Sequence, residues 1–347
     1  MRSTPSLRLP WMALESWFHR FVDSSPARKR PPRIGLVLSC GGARGLAHVG
    51  AIQVLEEAGI PIAAVMGSSM GAYVGSLWAA GIDGPGLEKL ASEIKDRRTL
   101  MRLVVDVAFP PAAGFLRGEK ARRHLERTLG DKQISQLQKP LYVIATDLDA
   151  LKGEVLPIDT PVAMAVQASS AIPGICTPVS LNGKRYIDGG ASQPLPVSMF
   201  KKMAAVDYII AVNVMPTLED IAACNLQSFP AQPPKPKGAF RRFFSACLKA
   251  VNLFAYGNVL DTFKRCLTSA QLRLISEESA AADVLVHPFF CESKWYDFEN
   301  SHRYVQAGRD AMLAALPRIR ALLGTSLNPT YSHENIPAVS AVGCGIT

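Results

Sequence analysis

Ser69 stands at the centre of Gly67-Ser68-Ser69-Met70-Gly71, a G-x-S-x-G pentapeptide. An apolar run, Ile62 to Met66, precedes it and reads as a short buried strand. Ala72 to Ala80 follows as a helix, with Gly75 inside it and Gly81 at its stop. Strand, sharp turn and helix is the setting that exposes a serine hydroxyl at a helix N-terminus, where unpaired amides and the helix dipole favour developing negative charge. A serine nucleophile also needs a base and a pair of donors for its oxyanion. Two further stretches at the ends of expected strands offer them. Cys40-Gly41-Gly42-Ala43 follows the apolar run Ile34–Ser39, and its glycines lack the Cβ atoms that would stop their N–H groups turning toward one point. Asp188 lies between Tyr186-Ile187 and Gly189-Gly190, where a rigid loop would hold it within reach of Ser69. An aspartate is ordinarily a weak base with a pKa near ~3.9, so this role requires burial. Taken alone, the pentapeptide reads equally as a plain turn between a strand and a helix.

The elements that must position these groups follow a regular rhythm. A strand at 34–39, a glycine loop, a helix ending at Ala58 before Gly59, a strand at 62–66 and the helix after Ser69 make strand–loop–helix twice over. That is the pattern of a parallel sheet covered by helices, whose functional groups gather at the carboxyl ends of the strands. Residues 87–135 read as mainly helical, with Leu125 and Leu129 turned inward and Phe109-Pro110-Pro111 as a break. Leu141–Thr146 reads as a strand ending at Asp147, expected to cap the next turn. Pro161–Ser170 reads as a helix, Lys184–Ile187 and Tyr208–Val214 as strands, about 240–278 as a long helix, Val284–Val286 as a last strand and 303–323 as a closing helix. Residues 228–238 are proline-rich and expected to be a mobile loop. No internal repeat is found.

Four ordered blocks resemble the patatin-like phospholipase family of Ser-Asp dyad lipid acyl hydrolases. They are Gly41-Gly42-Ala43-Arg44-Gly45-Leu46-Ala47-His48-Val49-Gly50, Gly67-Ser68-Ser69-Met70-Gly71, Ala168-Ser169-Ser170-Ala171-Ile172-Pro173-Gly174 and Tyr186-Ile187-Asp188-Gly189-Gly190. The resemblance spans about residues 33–325. It implies a three-layer α/β/α fold with a mainly parallel central sheet. It implies Ser69 as nucleophile and Asp188 as proton acceptor, with Gly67, Gly71, Gly189 and Gly190 as motif glycines. The loop of Cys40, Gly41, Gly42 and Ala43 is the implied oxyanion hole, and Arg44 the implied substrate-binding cation. The implied reaction is hydrolysis of a phospholipid or other acyl-ester lipid, of phospholipase A, lysophospholipase or esterase type, without cofactor or metal. The alternative is a weak or inactive member that serves as a membrane-associated scaffold. The family's loop begins with three glycines, and here Cys40 takes the first place. If that position needs a positive φ, Cys40 would be strained and the hole misaligned. Arg44 reads equally as an ordinary cation near a helix start, and His48 as a packed residue of the first helix.

Composition sets the remaining bounds. The chain has 347 residues, of which 48% are hydrophobic, enough for a large core. Its net charge of +9 is concentrated in two segments. Residues 1–33 hold seven basic and two acidic side chains, and residues 221–250 hold five basic and none acidic. Trp11, Trp17, Phe18 and Phe21 accompany the first, and Phe240, Phe243 and Phe244 the second. Basic residues interleaved with aromatics suit an anionic membrane surface better than a nucleic-acid groove. Trp11, Leu14, Phe18, Phe21 and Val22 fall at helical spacing, so residues 1–32 are expected to form an amphipathic, basic extension and linker. Residues 33–325 are expected to form the catalytic domain and 326–347 a disordered tail. A nucleotide-binding reading of the glycine loop fails, because Cys40 occupies the first glycine position of G-x-G-x-x-G and no acidic residue closes the second strand. Seven scattered cysteines without a C-x-x-C pair suggest free thiols in a reducing compartment and no zinc site. No continuous apolar stretch marks a secretory signal or a membrane span. The expected location is cytoplasmic, peripheral on the inner membrane surface. The sequence does not fix an oligomeric state.

Overall fold

A computed structural model describes residues 32–109, 113–227 and 259–324. The expected helix at 10–22, the loop at 228–238, the start of the long helix and the tail from 326 lie outside the described residues.

Five strands form the parallel heart of one mixed sheet. They are β1 (Ile34–Leu38), β2 (Ile62–Ser68), β3 (Leu141–Asp147), β7 (Tyr208–Val212) and β8 (Val284–Val286). In space they run β3-β2-β1-β7-β8, all pairs parallel. At the β3 end the sheet turns antiparallel. β6 (Lys184–Asp188) pairs with β3 and with the edge strand β5 (Val179–Leu181), and β4 (Lys152–Val155) also pairs with β3.

Helices cover both faces, which makes three layers. β1 shows why: Ile34, Leu36 and Leu38 enter one apolar cluster, and Val37 enters the other. Side chains two apart share a face of a strand, so a run apolar at every position needs cover on both sides. The larger cluster lies under α1 (Ala47–Glu57), α2 (Met70–Ala79), α3 (Gly84–Ala91), α5 (Glu119–Leu129), α6 (Val162–Ser169) and the long α10 (Ser301–Leu323). Leu125 and Leu129 of α5 face inward, as their spacing predicts. The opposite cluster takes Phe200 from α7 (Val197–Met203) and Ile275 from α9 (Val259–Ser279). The remaining helices are α4 (Arg97–Val104) and α8 (Leu218–Gln227).

Three features depart from the sequence reading. Between α4 and α5 the described residues are not helical, with Val107 bridged to Leu116 and Leu116 to Cys176. The second half of the glycine loop is itself the start of a 3-10 helix, Gly42–Leu46, that leads into α1. Cys224 and Cys291, 67 positions apart in the chain, form a disulfide with their Cα atoms 5.4 Å apart. The expectation that every cysteine is a free thiol is therefore corrected. An odd count forbids only that all be paired, and a pairing between distant segments leaves no local spacing to read. No helix among the described residues is long and apolar enough to cross a membrane.

Candidate active site

β2 delivers Ser69 to its place. The strand ends at Ser68, and α2 begins at Met70, so one residue makes the whole turn. Ser69 has φ 54° and ψ −118°, a conformation rare for a residue with a side chain. Strain of this kind persists only where the surroundings over-determine it. Here the motif glycines remove the obstruction. A Cβ on Gly67 would strike the backbone of Gly71 and Ala72, 2.5 Å away, and one on Gly71 would strike the carbonyl of Leu38. From α6, the Oγ of Ser169 accepts the Ser69 N–H at 2.8 Å.

β6 delivers Asp188 opposite. Its N–H donates to the carbonyl of Ala171 at 2.8 Å, and its carbonyl accepts from Thr146 Oγ1 at 2.9 Å. The carboxylate is thus fixed at both ends of its own residue. Its Oδ2 accepts from Ser69 Oγ at 2.7 Å, and its Oδ1 accepts from the Gly190 N–H at 2.7 Å. Ser69 and Asp188, 119 positions apart in the chain, are each only 7% exposed. Burial pushes the Asp188 carboxyl up to about 6, against the opposing pull of its bonds from Ser69 and Gly190. This is the shift a carboxylate needs to act as a base near neutral pH.

The glycine loop lies beside this pair, where the end of β1 meets α2. Its four amides are not equivalent. Cys40 N–H donates to Pro194 O at 2.9 Å, and Ala43 N–H to Trp295 O at 2.7 Å. Both are engaged in holding the loop, so the expected set of four donors narrows. The amides of Gly41 and Gly42 make no bond to a described backbone or side chain. Gly42 has φ 57°, and a Cβ there would collide with the carbonyl of Trp295. The position that demands glycine is therefore 42. Cys40 is not among the residues with positive φ, which corrects the expectation of strain. Its thiol is buried and packs beside Gly190, where an added Cβ would come within 2.7 Å of Cys40 Sγ. Burial, with the nearby Asp188 charge, holds this thiol far above its ordinary range, in its neutral form.

Two basic residues have roles different from, or narrower than, those considered. His48 is fully buried, and its Nε2 donates to the carbonyl of Ser39 at 2.9 Å. Desolvation lowers it to about 4, so it is neutral and braces the glycine loop from below. Arg44 donates from Nε to Ser293 Oγ at 3.0 Å and from Nη2 to Ser293 O at 2.9 Å. It ties the loop to the segment after β8. Sequence reasoning missed Ser169, Ala171 and Ser293. The first two lay inside a quoted block, and the Ser169-Ser170 pair at the end of an alanine-rich helix was the available signal. Among the described residues no group of His, Cys, Asp and Glu is placed to hold a metal ion.

A doubly covered parallel sheet with a Ser-Asp pair at its strand ends defines a class, and the comparisons agree with it. Residues 36–201 match the family model described as Patatin-like phospholipase, so that segment of the chain is similar to this family. An uncharacterized NTE family protein of Mycobacterium tuberculosis is 42% identical over 185 residues, covering 53% of this chain and 49% of that protein. Lysophospholipase nte1 of Emericella nidulans is 35% identical over 198 residues, covering 57% of this chain and 12% of its own length. The match thus spans about half of the mycobacterial relative and a small part of the fungal one. Among solved structures, VipD from Legionella pneumophila (14% identity, TM-score 0.42) covers 83% of this chain and 67% of its own. Human GIVD cytosolic phospholipase A2 (14% identity, TM-score 0.40) covers 91% and 62%. Likeness at that level carries no argument about this chain.

Proposed function

We propose that the protein is a serine lipid acyl hydrolase of lysophospholipase or phospholipase A type. The observation that carries this reading is the 2.7 Å bond from Ser69 Oγ to a buried Asp188 carboxylate whose pKa is pushed up to about 6. Asp188 takes the Ser69 proton as Oγ attacks the acyl carbonyl. The oxyanion of the tetrahedral intermediate faces the amides of Gly41 and Gly42 and the N-terminus of α2. Asp188 then gives its proton to the departing glycerol oxygen, which leaves the acyl group on Ser69. A water enters, loses its proton to Asp188 and releases the fatty acid, with the proton returned to Ser69 Oγ. Arg44 holds the loop in register through Ser293.

Hydrolysis of a lysophospholipid and of a short-chain aryl ester tests the reading on four proteins. Ser69→Ala, Asp188→Asn and the double variant should each lose at least about a thousandfold in kcat and reach a similar floor, because residues acting as a unit give non-additive losses. A folded Ser69→Ala that keeps substantial activity would overturn the assignment.

The site works on lipid, and the charge excess of residues 1–33 and 221–250 supplies the means of reaching it. Each basic residue near an anionic surface contributes about 1 kcal/mol, within a Debye length. Salt-sensitive sedimentation with anionic liposomes should therefore weaken when the chain is shortened to begin at Arg33. Equal binding by both proteins would contradict this.

A further inference from the structure

α9 lies across the glycine loop and fixes a cation beside it that the mechanism above does not use. Gln271, on the inner face of this helix, donates from Nε2 to Gly190 O at 2.9 Å, next to Asp188. Lys264 is seven positions earlier. That is close to two helical turns, so it shares the face and lies roughly 10 Å along the axis. There Lys264 Nζ stands over the ring of Trp295, 4.6 Å from its centroid. The carbonyl of the same Trp295 accepts the Ala43 N–H and rests against Gly42. The ammonium is thus anchored to the residue that buttresses the loop proposed to hold the oxyanion.

Asp261 is the one acidic side chain whose charge is felt at Lys264, and it offsets burial and Arg44 only in part. Among the described residues no carboxylate lies within ion-pair distance of Lys264. Asp261, on the same helix, pairs with Arg265 at 3.0 Å. Arg44 adds a second positive charge nearby, and two of its donors are taken by Ser293. Burial, and next the repulsion of Arg44, lowers the Lys264 ammonium to about 8. A half-buried cation beside another cation is unfavourable until an anion arrives.

We propose that Lys264 is a specificity-determining residue that receives the phosphate of a lipid headgroup at the rim of the Ser69 site. The inference rests on the lipid hydrolase reading, and it names the substrate group that the reading leaves open. In a glycerophospholipid the phosphate lies one glycerol unit from the ester carbonyl. A carbonyl placed at Ser69 therefore sends the phosphate outward along the loop, toward α9. The aromatic ring beneath Lys264 holds the ammonium in place without neutralising it.

Two arms test this on the full chain. In the first, kcat/KM is measured on 1-palmitoyl lysophosphatidylcholine and on 1-palmitoylglycerol, which differ by the phosphate and its choline. Lys264→Met should lower the first about tenfold, mainly through KM, and change the second by less than about twofold. Lys264→Arg should restore most of the loss. An equal loss on both substrates, or none on either, overturns the proposal. In the second, dodecylphosphocholine below its micellar concentration is titrated calorimetrically into Ser69→Ala, with and without Lys264→Met. This readout needs no turnover, so it holds even if the hydrolase reading fails. Binding that weakens about tenfold without Lys264 supports the subsite. Binding indifferent to Lys264 overturns it, and so does inorganic phosphate binding as tightly as the amphiphile, which would mark a site for the free ion.

Discussion

Two aspartates end neighbouring strands of the same sheet, and their surroundings give them opposite properties. Asp147 ends β3 and Asp188 ends β6, and the strands pair so that Asp147 lies opposite Tyr186 and Asp188 opposite Ala145. Asp147 is 2% exposed, covered by its own turn and by Lys184, and is no more accessible than Asp188. Its Oδ1 accepts from the N–H groups of Ala150 and Asp149, and Lys184 approaches its Oδ2 at 3.2 Å. These partners, led by the Ala150 amide, hold its carboxyl below the usual range. Asp188, 7% exposed, accepts from one amide and one hydroxyl and pairs with no described cation, and burial pushes it up to about 6. Residue type and strand position are shared. Both are buried, and the number of fixed donors with the Lys184 ammonium separates the carboxylate held as a turn cap from the one raised toward neutral pH.

The sharpest way to break this contrast is to neutralise each aspartate in turn. Asp188→Asn should abolish turnover, by about a thousandfold or more. Asp147→Asn should leave kcat within about twofold and lower the melting temperature, because it removes the charge that faces Lys184 and not a reacting group. Stability should also move in opposite senses. Asp188 binds its proton more tightly folded than unfolded, so its contribution is fully present below the ordinary value of 3.8 and is lost as pH rises through about 6. At pH 7 to 8, Asp188→Asn should therefore melt at the same temperature as the native protein or higher. Asp147 has a depressed pKa, so its contribution is present above 3.8 and is lost as pH falls. Equal losses of activity in the two variants would erase the distinction.

A pH profile sharpens it next. If Asp188 must be ionised to accept the serine proton, kcat/KM for a neutral ester should fall about tenfold per pH unit below an apparent pKa near 6. A limb near 4 would mean that the base is a carboxylate with ordinary exposure.

A smaller effect is expected one bond further out. Ser169→Ala removes the oxygen that accepts the Ser69 N–H and leaves that buried donor unpaired, a cost of about 1–3 kcal/mol. The turn that holds Ser69 at positive φ should loosen, with kcat down about tenfold and KM little changed. A Ser169→Ala enzyme with full kcat would show that the glycines alone hold the elbow.

The parts of this site legible in sequence were those carried by local patterns. Apolar runs at 34–38 and 62–66, each followed by glycines and a helical period, marked β1 and β2 and placed Ser69 between a strand and a helix. Asp188 was marked by the strand before it and the two glycines after it. The missed elements are short or polar. β4 reads Lys-Gly-Glu-Val and β5 spans three residues, and neither is long enough to show a period of two. The pairing at Leu116 depends on a bridge to Cys176, a partner some sixty residues away that no local pattern reveals. The choice of oxyanion donors was hidden for the same reason. Cys40 and Ala43 lose their amides to Pro194 and Trp295, and only the folded chain brings these together.

Labelling with a fluorophosphonate tests the central claim most directly, because the reagent reports an activated serine without a choice of lipid. The native protein should gain a single adduct in intact mass, located by peptide mapping at Ser69. Asp188→Asn should label at least about a hundredfold more slowly, and Ser69→Ala not at all. Labelling of native protein at another serine, or at Ser69 with a rate unchanged by Asp188→Asn, would contradict the assignment of Ser69 and Asp188 as one unit.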